Sequence, residues 1–139
     1  MDYDFLSIKD YVINYFFVGL PDGLYYHNLD HTLDVLEAVQ RIGLAEQLSN
    51  KDILLLKVAS MFHDVGFIDS YENNEHLGAE YAQNTLPDFG VTNEDITKIK
   101  SAILATNLGI PPQNIFEMVL CDADLDYLGR DDFEHKSLL

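Results

Sequence analysis

Lys57-Val58-Ala59-Ser60-Met61-Phe62-His63-Asp64-Val65-Gly66 closes a run that, from Ile53 to Phe62, is apolar except at Lys57 and Ser60. A helix that is hydrophobic nearly all round belongs at the centre of its domain. This one ends in His63 and Asp64, two polar groups at the edge of the greasiest segment of the chain. An unpaired buried carboxylate is costly, and a divalent cation relieves that cost, because neutral imidazole and carboxylate are both good ligands. Gly66 then stops the helix, as a residue free to take positive φ does. Taken alone, the pair also reads as an ordinary helix end, with His63 against the last carbonyls and Asp64 in solvent. The rest of the chain has to separate the two readings.

The central helix is expected from Lys51 to about Val65, opened by Ser49-Asn50-Lys51-Asp52, a capping-box pattern with Asp in the place of Glu or Gln. Upstream, Phe5 to Phe17 is apolar at 5, 8, 12, 13, 16 and 17, a helical rhythm broken by Gly19-Leu20-Pro21-Asp22-Gly23. Asn28 is read as the N-cap of a second helix running to about Leu48. Within it His31 shares a face with Val35, Ala38 and Ile42 and so points inward, while His27 lies just before the helix at the rim of the same pocket.

Downstream, the polar loop Asp69 to Asn74 leads to a helix near Glu75 to Leu86, closed by Pro87-Asp88-Phe89-Gly90. Thr92-Asn93-Glu94-Asp95 caps a further helix, with Ile96, Ile99, Ile103 and Leu104 as its buried positions. Leu108-Gly109-Ile110-Pro111-Pro112 is a turn. Asn114 with Glu117 caps the last full helix, Ile115 to Leu128, stopped at Gly129. Asp131 to Leu139 reads as a helix cut off after two turns, so further chain is expected beyond it. No segment alternates as a strand should. The expectation is an all-α bundle of about six helices forming a single domain over residues 1–139.

That length suits one domain with a sizeable core. Eight basic against twenty-four acidic residues give a net charge of −16. Binding a nucleic acid polymer through its phosphates needs Lys and Arg in quantity, so that class is excluded. A small anionic substrate is unwelcome too unless a cation reverses the local field. Such a charge excess is otherwise plain solvation. Cys121 is the only cysteine, which rules out an internal disulfide and suits a reducing compartment. The start, Met1-Asp2-Tyr3-Asp4-Phe5, lacks the features of a signal peptide, and the run ending at Phe62 is shorter than the ~20 residues that span a bilayer. A cytoplasmic protein without a membrane segment is expected.

Four positions could form one metal site: His31, His63, Asp64 and an aspartate of Cys121-Asp122-Ala123-Asp124-Leu125-Asp126. As a calcium loop the last stretch would need Gly at its sixth position and Glu at its twelfth, where Tyr127 and Phe133 stand. On a helix, Asp122 and Asp126 share a face, whereas Asp124 has Leu120, Cys121, Tyr127 and Leu128 as its neighbours one turn away. Asp124 is therefore the first choice as the inward ligand and Asp122 the second.

The ordered set Tyr26-His27-Asn28-x-x-His31, His63-Asp64 and Ala123-Asp124-Leu125 resembles the HD superfamily of metal-dependent phosphohydrolases, over roughly Leu20 to Phe133. The first piece also resembles the corresponding segment of cyclic-nucleotide phosphodiesterases. The resemblance implies His31, His63, Asp64 and Asp124 as metal ligands, and His27 as the group that protonates the departing oxygen. It implies hydrolysis of a phosphate ester of a small molecule, expected to be a nucleotide, by metal-activated water with Asp64 as proton acceptor. Where other members hold a second metal, this chain has Asn74 and, later, Ala105-Thr106-Asn107, with His76 two residues along from Asn74. One divalent ion is therefore expected, of Mn, Fe, Co, Ni, Zn or Mg. Arg130 and Lys57 are the basic residues placed to meet a substrate phosphate. The competing reading is a catalytically silent HD module that binds metal or nucleotide for regulation.

Overall fold

The computed structural model describes residues 3–20, 22–65, 74–107 and 111–126, with the side chains of 22, 24–28 and 74 outside that description. These residues form six α-helices and no strand: α1 (Phe5–Val12), α2 (Asp22–Ala45), α3 (Asn50–Phe62), α4 (Asn74–Thr85), α5 (Asn93–Ala105) and α6 (Ile115–Asp124). None is long and apolar enough to cross a membrane. The all-α expectation holds.

α3 is the axis. It packs against each of the other five helices, and Ile53, Leu55, Leu56, Val58, Ala59, Ser60, Met61 and Phe62 are all buried along it. A helix surrounded on every side needs no polar face, which is why its sequence has almost none. Its neighbours supply one apolar stripe each, through Val35, Ala38 and Val39 of α2, Ala79 and Ala82 of α4, Ile96, Ile99, Ala102 and Ile103 of α5, and Phe116, Val119, Leu120 and Ala123 of α6.

Four of the six helices begin with a side-chain cap that takes up an otherwise orphaned backbone N–H. Asp4 accepts from Ser7 N at 3.2 Å, Ser49 from Asp52 N at 3.1 Å, Thr92 from Asp95 N at 3.2 Å and Asn114 from Glu117 N at 2.9 Å. The last three are caps expected from the sequence. Gly90 closes the 3₁₀ turn Leu86–Phe89 in the left-handed region, at φ 79°.

The structure corrects several boundaries. The second helix begins at Asp22, so Asn28 lies inside it and is not its cap. His27 is thereby a helical residue one turn before His31, and its side chain lies outside the described set. The helix ends at Ala45, and Gln47 at φ 60° turns the chain towards α3. The first segment is not one regular helix, because Val18 N–H reaches the Ile13 carbonyl at 3.1 Å and residues Ile13–Phe17 form a π-helical turn. That wider turn buries Phe17 and sets Phe16 against Tyr81, 4.9 Å between ring centroids. α3 stops at Phe62, with His63 as its C-cap. Leu104, expected to be buried, is half-buried. Gly66, most of the Asp69 to Asn74 loop, Leu108 to Ile110 and everything from Tyr127 onward lie outside the described residues.

Gly78 brings α4 close to the end of α3. A Cβ at this position would overlap the Phe62 carbonyl oxygen and touch that of His63, 3.4 Å away. Alanine is intrinsically the better helix former by about 1 kcal/mol. Here the backbone of α3 would have to move, so Gly78→Ala is expected to lower unfolding free energy in urea by about 2–3 kcal/mol. An unchanged or raised stability would mean the two helices can separate freely.

A second tie joins the N-terminus to α5. The Asp95 carboxylate receives the Tyr3 hydroxyl and pairs with Lys51 Nζ at 3.1 Å. Burial raises its pKa, but these partners together with Thr92 outweigh burial and hold it below the usual 3.8. The folded state thus binds this proton less readily than the unfolded chain. The stability contributed is present above pH 3.8 and is lost as pH falls through the depressed value. Asp95→Asn is therefore expected to be destabilised at pH 6, with its gap to wild type closing below pH 3.8 in denaturant titrations.

Candidate metal centre

Three helices deliver four polar groups to one point beside α3. His31 comes from α2, His63 is the C-cap of α3 with Asp64 following it, and Asp124 is the last residue of α6. Ligand atoms of His31, His63 and Asp124 all lie within 4.8 Å of one another. Asp124 Oδ1 is 3.1 Å from His31 Nε2 and 3.2 Å from His63 Nε2. Asp64 lies beside this trio, its Oδ2 3.3 Å from His31 Nε2 and 3.7 Å from His63 Nε2, but is not among the three whose ligand atoms are mutually within 4.8 Å.

His63 is 1% exposed, whereas His31, Asp64 and Asp124 are 28%, 24% and 23% exposed. The cluster therefore has a sealed floor and an open mouth. His63 Nδ1 donates to the Ser60 carbonyl at 2.6 Å, one turn back on α3. That bond fixes the ring and its tautomer, so that in the neutral form the lone pair sits on Nε2, facing the carboxylates. Ser60 breaks the apolar run in the sequence. Its own hydroxyl bonds the Lys57 carbonyl at 2.7 Å, and its carbonyl is what orients the histidine.

The charges explain one another. Burial pulls the His63 pKa down, but the carboxylates of Asp64 and Asp124 and the Ser60 carbonyl outweigh it and push it up to about 10. For Asp124 burial acts upward, and hydrogen bonds from His31 and His63 hold it well below the carboxylate range. In the protein alone, a proton on His63 offsets part of the charge of the two carboxylates. A cation on the imidazole and carboxylate lone pairs meets the same need with a better donor set. Two imidazole nitrogens and a carboxylate oxygen at this spacing, with Asp64 beside them, are a donor set that suits a divalent transition ion.

Other expected participants lie elsewhere. His76 is exposed in the first turn of α4 and outside the cluster. Lys57 turns towards α1, its ammonium 4.6 Å from the centroid of the Phe5 ring, so it does not serve the site. Asp122 is exposed, and Asp126 pairs with Arg41 at 2.8 Å, tying the end of α6 to α2. Arg130 is outside the described residues.

Two features escaped the reading of the sequence. A cavity of about 240 Å³ flanks Asp124 between the ends of α5 and α6. Near the same end of α5, the buried Glu75 accepts from Asn107 Nδ2 at 2.9 Å. Cys121 lines the cavity, and burial, aided by Asp124, Asp122 and Glu117, pushes its thiol up to about 11. It stays protonated, donating to the Ala105 carbonyl at 3.0 Å, and is no thiolate ligand.

Comparisons with known proteins bear on the family and the fold. The family model described as HD domain matches residues 28–126. No curated protein matches the chain. The crystal structure of a predicted HD superfamily hydrolase from an uncultured Thermotogales bacterium superposes with a TM-score of 0.76 at 23% identity, covering 96% of this chain and 74% of that one. At that identity the likeness is one of fold. The family match spans well over half of the chain and includes His31, His63, Asp64 and Asp124, and the protein belongs to the HD-domain family.

Proposed function

We propose that this protein is a metal-dependent phosphohydrolase that cleaves a phosphate ester of a small molecule, a nucleotide by the resemblance of Tyr26-His27-Asn28-x-x-His31. The observation that carries the reading is the convergence of His31, His63 and Asp124, with Asp64 3.3 Å from His31, at an open-mouthed site in an otherwise apolar bundle. These four side chains would hold one divalent ion. When bound, it supplies a Lewis acid and a water of lowered pKa.

The chain's own groups do the rest. Asp64, a quarter exposed and at the mouth, takes the proton of the attacking water. His27, one turn before His31 on α2, gives a proton to the departing oxygen. One P–O bond forms to the water oxygen and one breaks to the ester oxygen, so the site has chiefly to position and neutralise. His63, anchored through Ser60, sets the geometry of the floor.

Five of the basic side chains among the described residues are engaged elsewhere. Arg41, Lys51 and Lys98 pair with carboxylates, Lys57 stacks on Phe5 and Lys100 bonds Gln83. A silent, ligand-binding module would show the same shortage, which is the observation favouring that second reading.

Release of phosphate from a generic aryl phosphate separates the two. Turnover is expected with Mn²⁺, Co²⁺, Ni²⁺ or Zn²⁺, to vanish with a chelator, and to fall at least ~100-fold in His63→Ala and Asp64→Ala, since removing a ligand to a catalytic metal removes its chemistry. Thermal stabilisation by metal without turnover of any ester or nucleotide would instead establish the binding module.

A further inference from the structure

Resting on the reading that His31, His63, Asp64 and Asp124 hold one divalent ion, we propose that Arg41 and Asp126 are positioning residues for that site. Their ion pair clamps the end of α6 to α2 and so fixes where Asp124 stands relative to His31.

The need for a clamp follows from the place of Asp124. It is the last residue of α6, and the final turn of a helix is the part most given to fraying. That turn is closed by the Leu125 N–H on the Cys121 carbonyl at 3.2 Å, the long end of the usual range. The Asp124 carboxylate nevertheless has to meet two ring nitrogens, His31 Nε2 at 3.1 Å and His63 Nε2 at 3.2 Å. His63 is held from behind by the Ser60 carbonyl.

Asp126 comes two residues after Asp124, at most ~7 Å of chain. Its Oδ2 accepts from Arg41 at 2.8 Å. Arg41 belongs to α2, the helix that carries His31, and Glu37 one turn back accepts from its Nε at 3.4 Å. A guanidinium donates in two fixed directions at once, which an ammonium on a flexible stem does not. Glu37 thus orients the fork along α2, and the fork reaches across to the terminus of α6. The two helices that deliver His31 and Asp124 are tied beside one of those ligands.

Charge gives no reason for an arginine here. A guanidinium near a cation site repels the ion, and basic residues are scarce in this chain, eight against twenty-four acidic. The stability of the fold gives little more reason, because the pair is partly exposed. What the pair supplies to the site is a fixed position for Asp124.

The test is titration of the whole chain with Co²⁺, followed by the visible absorption of the bound ion. It compares wild type, Arg41→Met, Asp126→Asn, the double variant and Lys51→Met. The last breaks another surface pair, Lys51–Asp95, at the far end of α3 from His63, and removes the same charge as Arg41→Met. Through-space electrostatics alone predicts opposite effects, tighter binding without the cation and weaker binding without the anion. The clamp predicts that Arg41→Met and Asp126→Asn each weaken binding at least ~5-fold, less than loss of a group bonded to the ligand itself. The double variant is then no weaker than Asp126→Asn, since both changes break one interaction, and Lys51→Met matches wild type. Unchanged or tighter binding by Arg41→Met, additive losses, or an equal loss in Lys51→Met overturns the proposal.

Should wild type bind no ion, the metal reading fails by itself and the clamp is judged in the metal-free protein. The ring nitrogen resonances of His31 and His63, whose Nε2 atoms face Asp124, are then expected to move in Arg41→Met and Asp126→Asn and to stay in place in Lys51→Met. Unmoved rings in Arg41→Met would mean that Asp124 keeps its place without the clamp, and refute it.

Discussion

A buried imidazole between two carboxylates is the constraint on which the rest of this molecule turns. His63 is sealed under the end of the most apolar helix of the bundle, and its Nε2 faces Asp124 Oδ1 at 3.2 Å. Such a group is tolerated only because Ser60, Asp64 and Asp124 pair it, and those partners come from two different helices. Opposite charge must be supplied from outside α3. Asp124, the last residue of α6, supplies part of it, and α2 contributes His31 to the same cluster.

The scaffold serves the same point. Gly78 lets α4 approach the carbonyls of Phe62 and His63 closely enough to close off the floor. The Arg41–Asp126 pair binds the end of α6 to α2 just beyond Asp124. Being half-exposed it contributes little stability in water, but it narrows the positions available to the α6 terminus. Glu75 and Asn107 join the start of α4 to the end of α5 beside the cavity. The order of the bundle thus puts buried groups under the cluster and its open side at the mouth.

Much of this was legible in the residues. The all-round apolar run of α3, the Ser49, Thr92 and Asn114 caps, and the inward set of Asp124 follow from periodicity and local chemistry, and the structure shows them. The misses have physical causes. Asn28 has a strong cap preference, but α2 extends two turns further back through Gly23, because propensity is a weak prior where tertiary packing can extend a helix. The π-helical turn at Ile13–Phe17 leaves the apolar spacing nearly unchanged, so periodicity could not reveal it. Lys57 shares a helical face with Asp64 in sequence, yet Phe5, far away along the chain, offers its ring first. The cavity beside Asp124 depends on how α5 and α6 end relative to one another, which no local pattern encodes.

The central claim, that these four side chains meet at one cation, is tested most directly by elemental analysis of the purified protein beside its Asp124→Ala variant. Asp124 pairs the buried His63, so circular dichroism of the variant must accompany the metal analysis, with Asp124→Asn, which keeps the side chain's size and an acceptor oxygen, as a second variant if the alanine form is unfolded. The account predicts about one equivalent of a divalent transition metal in wild type and almost none in the variant. Equal metal content in the two, or none in wild type after incubation with each candidate ion, would contradict it.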